Sequence, residues 1–235
     1  MTFDDGRRTY YDHEALYERI VAKDGVGWDD LNDDAADDSY EAVTEFLESE
    51  HMKHLSPGKP VLDLGCGGGQ VAIMLAQRGF AAFGVDFSPT AIDLANTNCL
   101  EHGIKAEFAV GDCLGLDEYA DRSMDAVIDN HVWHCIIGER DRQKFLSSIW
   151  RVLRDGGIFF SETMTRQGDF DPDVVNADPV TFVCKHQSRY WASEAEILSS
   201  IAGCGFDAVF QQLCPQEETP GGGSTLVVYA RKIPQ

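Results

Sequence analysis

Basic residues are scarce in this chain. Nineteen lysines and arginines stand against 40 aspartates and glutamates, a formal net charge of −21. Such a balance repels phosphate backbones and argues against a nucleic-acid substrate. Long apolar runs are lacking too. None approaches the ~18 residues of a membrane span, and the acidic N-terminal stretch has no apolar signal segment. The seven cysteines are odd in number, dispersed and without a Cys-x-x-Cys pair. They read as reduced thiols of a cytoplasmic protein, not as a disulfide framework. There is no internal repeat.

What is present is a globular composition. At 235 residues and 43% hydrophobic content, the chain can bury a substantial core without disulfides or metals. The most informative segment is Val61-Leu-Asp-Leu-Gly-Cys-Gly-Gly-Gly-Gln70. A short apolar strand runs into a glycine-dense turn, and a helical pattern follows over 70–78. Such a turn lets a ligand approach the backbone, and the helix N-terminus offers free N–H groups. From position 60 onward, apolar runs (61–64, 81–85, 106–110, 124–129, 157–162) alternate with helical patterns (70–78, 89–102, 139–153). This alternation predicts βαβ units and a parallel sheet. Ser88-Pro89 reads as cap and first residue of a helix, and Asp155-Gly-Gly157 reads as the stop of the 139–153 helix.

The flanks differ from this core. Helices are predicted over 12–23, with Leu16, Tyr17, Ile20 and Val21 on one face, and over 39–52, with Ser39 as cap. Positions 29–38 are too acidic to pack, and 56–60 is a turn. Positions 163–190 have no clear period. A loop of that length is functional or disordered. A helix over 194–202 and two strands, 206–213 and 224–231, complete the chain.

The spacing Gly65-x-Gly67-x-Gly69 after Asp63 departs from the dinucleotide pattern G-x-G-x-x-G. It resembles motif I of the class I S-adenosylmethionine (SAM) methyltransferases, written Asp/Glu-x-Gly-x-Gly-x-Gly. Further matches follow in the family's order over about residues 58–231. Asp86-Phe87-Ser88-Pro89 resembles the ribose-binding strand end, and Asp86 lies close to the ~20-residue offset of an acid that holds ribose hydroxyls. Gly111-Asp112-Cys113 resembles the adenine-binding turn. Met124-Asp-Ala-Val-Ile-Asp-Asn130 resembles the fourth strand. Leu153-Arg-Asp-Gly-Gly157 resembles the run before the fifth, with Asp155 in place of proline.

The resemblance implies a seven-stranded, mostly parallel, doubly wound α/β sheet with an antiparallel C-terminal hairpin. It implies an N-terminal helical cap over 1–57 and a SAM-binding core over 58–235, with 163–192 covering the acceptor. The implied cofactor contacts are Asp63, Gly65, Cys66, Gly67, Asp86, Phe87, Asp112, Cys113 and Asn130. His131 and His134, three apart, are candidates to orient or deprotonate the acceptor. They would otherwise bind a metal with Cys135 or His186, which no ligand spacing supports, or be satisfied core groups. Tyr11 and Trp28 are candidates to line the acceptor site from the cap. The expected reaction is methyl transfer to a small molecule, without metal, by a monomer or homodimer. The rivals are non-methylating chemistry on the same fold, a non-catalytic SAM-binding protein, and an NAD enzyme, against which the glycine spacing speaks.

Overall fold

The computed structural model describes residues 13–31, 40–185, 188–215 and 223–234. Eight strands form one sheet: β1 (Pro60–Leu64), β2 (Ala81–Asp86), β3 (Glu107–Val110), β4 (Met124–Asn130), β5 (Leu153–Arg166), β6 (Ala192–Ser193), β7 (Phe206–Pro215) and β8 (Gly223–Lys232). Their order is β3-β2-β1-β4-β5-β8-β7, with the two-residue β6 appended to β5. All pairings are parallel except those of β8, which runs antiparallel between β5 and β7. The helices are α1 (His13–Ala22), α2 (Glu41–Glu48), α3 (Glu50–Lys53), α4 (Gln70–Gln77), α5 (Pro89–Glu101), α6 (Glu139–Val152) and α7 (Glu194–Gly203).

Alternation along the strands divides the core between the two faces. Val61, Ile128, Ile158 and Phe160 pack with Val71 and Leu75 of α4 and with Val43, Phe46 and Leu47 of α2. Leu62, Leu64, Val127 and Phe159 pack on the other side with Phe145 and Ile149 of α6 and Ile197 of α7. Helix starts follow local chemistry. Ser88 accepts from Ala91 N–H at the head of α5, with Pro89 as first helical residue. Ser193 and Glu196 form a capping box on α7.

Three local expectations are corrected. Asp155-Gly-Gly157 does not stop α6. The helix ends at Val152, and the triplet is a bulge inside β5, where pairing shifts from Met124–Leu153 to Ala126–Ile158. Lys232 holds this bulge: its buried Nζ donates to Leu153 O (2.7 Å) and lies over the Trp150 ring. The predicted 39–52 helix is broken at Ser49, whose backbone is extended, and its Ser39 cap lies outside the described residues. The aperiodic 163–190 stretch is neither one loop nor disordered. β5 continues to Arg166, and single bridges join Ala177 to Cys184 and Val183 to Tyr190.

Phe160 is wholly buried, 4.9 Å from Phe46 and 5.8 Å from Tyr229 between ring centroids. Phe160→Ala is expected to destabilise the fold by about 3–5 kcal/mol, measured by denaturant unfolding. Ser193→Ala, which removes one cap, is expected to cost about 1 kcal/mol.

Candidate functional site

The C-terminal tips of β1, β2, β3 and β4 converge on one crevice, where ligands of open α/β sheets bind. The loop after β1 is shaped by left-handed glycines, with φ +59° at Gly65 and +51° at Gly67. A side chain at Gly67 would collide with the Tyr17 hydroxyl, and one at Gly65 with Val132.

Asp86 clasps this loop to β2. Its Oδ2 accepts from Gly67 N–H (3.0 Å) and its Oδ1 from Ser88 N–H (2.9 Å). Its backbone carbonyl accepts from Gly111 N–H, which brings in the β3 tip. Burial nevertheless lifts the Asp86 pKa to about 6. Asp63 is buried beside it, and its Oδ2 has no hydrogen-bond partner among the described residues. Burial, then the charges of Asp86 and Asp129, push Asp63 well above the usual carboxylate range. Asp112 is half-buried and closes its own turn by accepting from Leu114 N–H (2.9 Å). Burial raises the thiols of Cys66 and Cys113, so neither is a nucleophile at neutral pH. Phe87 lies 6.1 Å from the His13 ring.

The β4 tip is built by a residue the sequence analysis passed over. Asp129 is fully buried and accepts from Ser161 Oγ (2.7 Å), Val132 N–H (2.8 Å) and Trp133 N–H (3.2 Å). Between these anchors His131 adopts φ +68°, uncommon for a residue with a side chain, and donates its N–H to Glu162 O (2.9 Å). Its side chain is 35% exposed, with Nε2 3.7 Å from Glu162 Oε1. Burial, then the Arg189 charge, lowers the His131 pKa to about 4. Burial, then Asp129 and Glu41, raises Glu162 to about 7. The His134 ring lies 5.4 Å from that of His131 but is buried. Its Nδ1 faces Met164 N–H (3.5 Å) and Thr163 Oγ1 (3.4 Å). Asn130 is half-buried, and its Oδ1 has no partner among the described residues.

The first helix is fastened over this crevice. Thr90 Oγ1 donates to Glu14 Oε1 (2.6 Å), and the Gln70 and Asn98 amides both donate to Val26 O (2.8 Å each). Tyr17 is the aromatic that reaches the glycine loop. Trp28 lies further out, partly exposed, with its ring 5.0 Å from His13 and 5.7 Å from Tyr17. Tyr11 lies outside the described residues, as does His186 from the metal alternative. No cluster of three or more metal-ligating side chains exists among the described residues. Tyr17 was visible in the sequence only as one aromatic among several. Glu162 carried no signal, because a lone acid near a strand end reads as solvated.

Residues 61–157 match the model of a family described as a methyltransferase domain. A hydroxyquinolinone methyltransferase of Mycobacteroides abscessus, 2-heptyl-1-hydroxyquinolin-4(1H)-one methyltransferase, is 32% identical over 150 residues, which cover 61% of this chain and 65% of that one. The chain spans 47% and 41% of the lengths of two further curated relatives. Among solved structures, Burkholderia thailandensis 1,6-didemethyltoxoflavin-N1-methyltransferase, determined with S-adenosylhomocysteine, superposes with TM-score 0.70 at 21% identity over 100% of this chain and 94% of that one. The cyclase SpnF superposes with TM-score 0.71 at 18% identity over 97% and 95%. The chain therefore has the class I methyltransferase fold. Within that fold, residues 61–157 are the part similar to the methyltransferase-domain family.

The buried acids set a pH dependence. A carboxyl whose pKa is higher folded than unfolded adds stability that is complete below the unfolded value and lost as pH rises through the folded one. For Asp86 and Asp129, raised from 3.8 to about 6, that window runs from about pH 4 to 6. Asp129→Asn keeps an acceptor for Val132 and Trp133 and gains a donor for Ser161. It is expected to flatten the decline in thermal stability of the ligand-free protein across this window. A slope equal to wild type would remove Asp129 as a source.

Proposed function

We propose that the chain transfers a methyl group from SAM to a small-molecule acceptor. The reading rests chiefly on one arrangement: buried acids at the β1 and β2 tips, one with an unpartnered oxygen, around a loop whose glycines permit close approach. The residues fit such a cation. Asp86 spends one lone pair of each oxygen on backbone N–H groups, and a carboxylate oxygen has two, so both can still accept from ribose hydroxyls. Asp63 Oδ2 is a buried acceptor that a donor from the methionine portion would satisfy. Asp112, Cys113 and Phe87 would flank adenine, and Gly65, Cys66, Gly67 and Asn130 would lie along the thioether side.

The cofactor supplies an electrophilic methyl, so the protein's task is position and electrostatics. His131 is the side chain at the β4 tip that keeps solvent access, and a neutral imidazole can accept a proton from an acceptor. Glu162 sits behind it and orients the ring. His134 shapes the same wall from within. The N-terminal cap over 1–57 and the 163–192 segment would exclude water around the acceptor. The acidic balance supports a small molecule over nucleic acid, and the hydroxyquinolinone named for the Mycobacteroides relative supports a heteroaromatic acceptor with an acidic oxygen. We place the protein in the cytoplasm as a monomer or homodimer.

Calorimetric titration with S-adenosylhomocysteine tests the cofactor site. Asp86→Ala is expected to weaken binding by about 1–3 kcal/mol, the scale of hydrogen bonds to a charged group. Asp86→Asn, which keeps one acceptor, is expected to lose less. Unchanged affinity in both would remove Asp86 from the site. His131→Asn, which tolerates the left-handed backbone, is expected to lower turnover at least tenfold with cofactor affinity unchanged. Accumulation of S-adenosylhomocysteine with a methylated acceptor separates methyl transfer from non-methylating chemistry.

A further inference from the structure

Most half-buried arginines in this acidic protein are engaged. Arg151, Arg154 and Arg166 pair with carboxylates. Arg142 donates to the carbonyls of Ile136 and Ile137 and lies over the Tyr190 ring. Arg19 and Arg140 are exposed. Arg189 differs. It is half-buried, and no hydrogen bond or ion pair engages its guanidinium among the described residues.

Its position is fixed from both sides. Tyr190 N–H donates to His134 O (2.7 Å), and Arg189 O accepts from Cys184 N–H (2.9 Å). The chain is thereby stitched to the turn that carries His131 and His134. The guanidinium charge acts on His131, His134 and Cys135. Burial keeps both imidazoles neutral at physiological pH, the charge of His13 from α1 acts on His134, and Glu162 stands beside His131. A half-buried guanidinium with no partner among the described residues keeps its planar donor fork open to an anion. The site is then divided: acids line the cofactor side, and one permanent cation marks the acceptor side.

We propose that Arg189 binds the methyl acceptor as an anion, so that the substrate is a small molecule whose acidic oxygen is ionised when it lies beside His131. This rests on the methyl transfer proposed above. The acceptor's proton leaves to solvent on binding. The oxygen lone pair then forms the new O–CH₃ bond while the S–CH₃ bond breaks and its electron pair stays on sulfur. A cation and an anion become two neutral molecules, and no further proton moves. Charge cancellation of this kind gains from a pocket poor in water.

4-Nitrophenol is the probe, because its phenol and phenolate differ in colour. In the presence of saturating S-adenosylhomocysteine, wild-type protein is expected to lower the ionisation midpoint of the bound probe by about one pH unit, equivalent to about tenfold preference for the phenolate. Arg189→Gln is expected to abolish the shift and weaken phenolate binding about tenfold, and Arg189→Lys to retain part of it, as a point charge without the fork. S-adenosylhomocysteine affinity is expected to stay within about twofold in both, since a group on the acceptor side leaves the cofactor contacts intact. Glu162→Gln, titrated in parallel, separates the ionisation of Glu162 from that of the probe. No probe binding by wild type, equal affinity for phenol and phenolate, or a shift that survives Arg189→Gln would overturn the proposal. If S-adenosylhomocysteine itself fails to bind, the methyl-transfer reading falls and this inference with it. If it binds and the probe is unshifted, only the role of Arg189 falls.

Discussion

The Asp86 clasp is the interaction on which the rest of the site depends. Two backbone N–H groups, from Gly67 on one loop and Ser88 at the head of α5, converge on one buried carboxylate. A glycine-rich loop has many conformations to lose, and this contact selects one of them. It also seats α5 relative to β1, and α1 rests on both through Glu14–Thr90 and Tyr17–Gly67. The same carboxylate shapes the loop and retains the lone pairs that a hydroxylated ligand needs.

The electrostatics of the crevice extend this logic. Asp63, Asp86 and Asp129 are all buried, and in two of them backbone or hydroxyl donors offset part of the burial cost. Asp63 lacks such a donor on one oxygen among the described residues. A cationic ligand therefore relieves a strain already present in the empty fold. Net negative charge, which counted over the whole sequence only argues against nucleic acid, acquires a further meaning once three of those acids share one cleft.

Much of the fold was legible because buried parallel strands make continuous apolar runs that stop at glycine or aspartate. Val61–Leu64, Ala81–Asp86 and Met124–Asn130 follow this rule. The glycine loop, the acid before it and the two after it were legible as a motif, and the bonds of Asp86 to Gly67 and Gly111 give that order a physical cause. Other parts were not. Asp155-Gly-Gly157 has the composition of a helix stop, and only the distant Lys232 makes it a strand bulge. Tyr17 is singled out by Gly67, fifty positions later. Asp129 owes its role to the Ser161 hydroxyl across the sheet and to the N–H groups of its own turn, and Glu162 to the His131 ring beside it. Arg189 reads as one charge in an irregular stretch until its lack of a partner among the described residues is seen. What local pattern does not carry is the outcome of long-range pairing.

The placement of β8 has a consequence for how the chain is assembled. This strand comes last of the eight, yet it lies inside the sheet between β5 and β7, with Leu226, Val228 and Ala230 fully buried. Until it inserts, β5 presents an open edge, and Phe160 lacks the tyrosine that packs against it. Pairings so distant along the chain form slowly and leave sticky edges exposed meanwhile. During synthesis, the β1–β4 half can therefore take shape early, whereas the sheet closes only after β8 has left the ribosome.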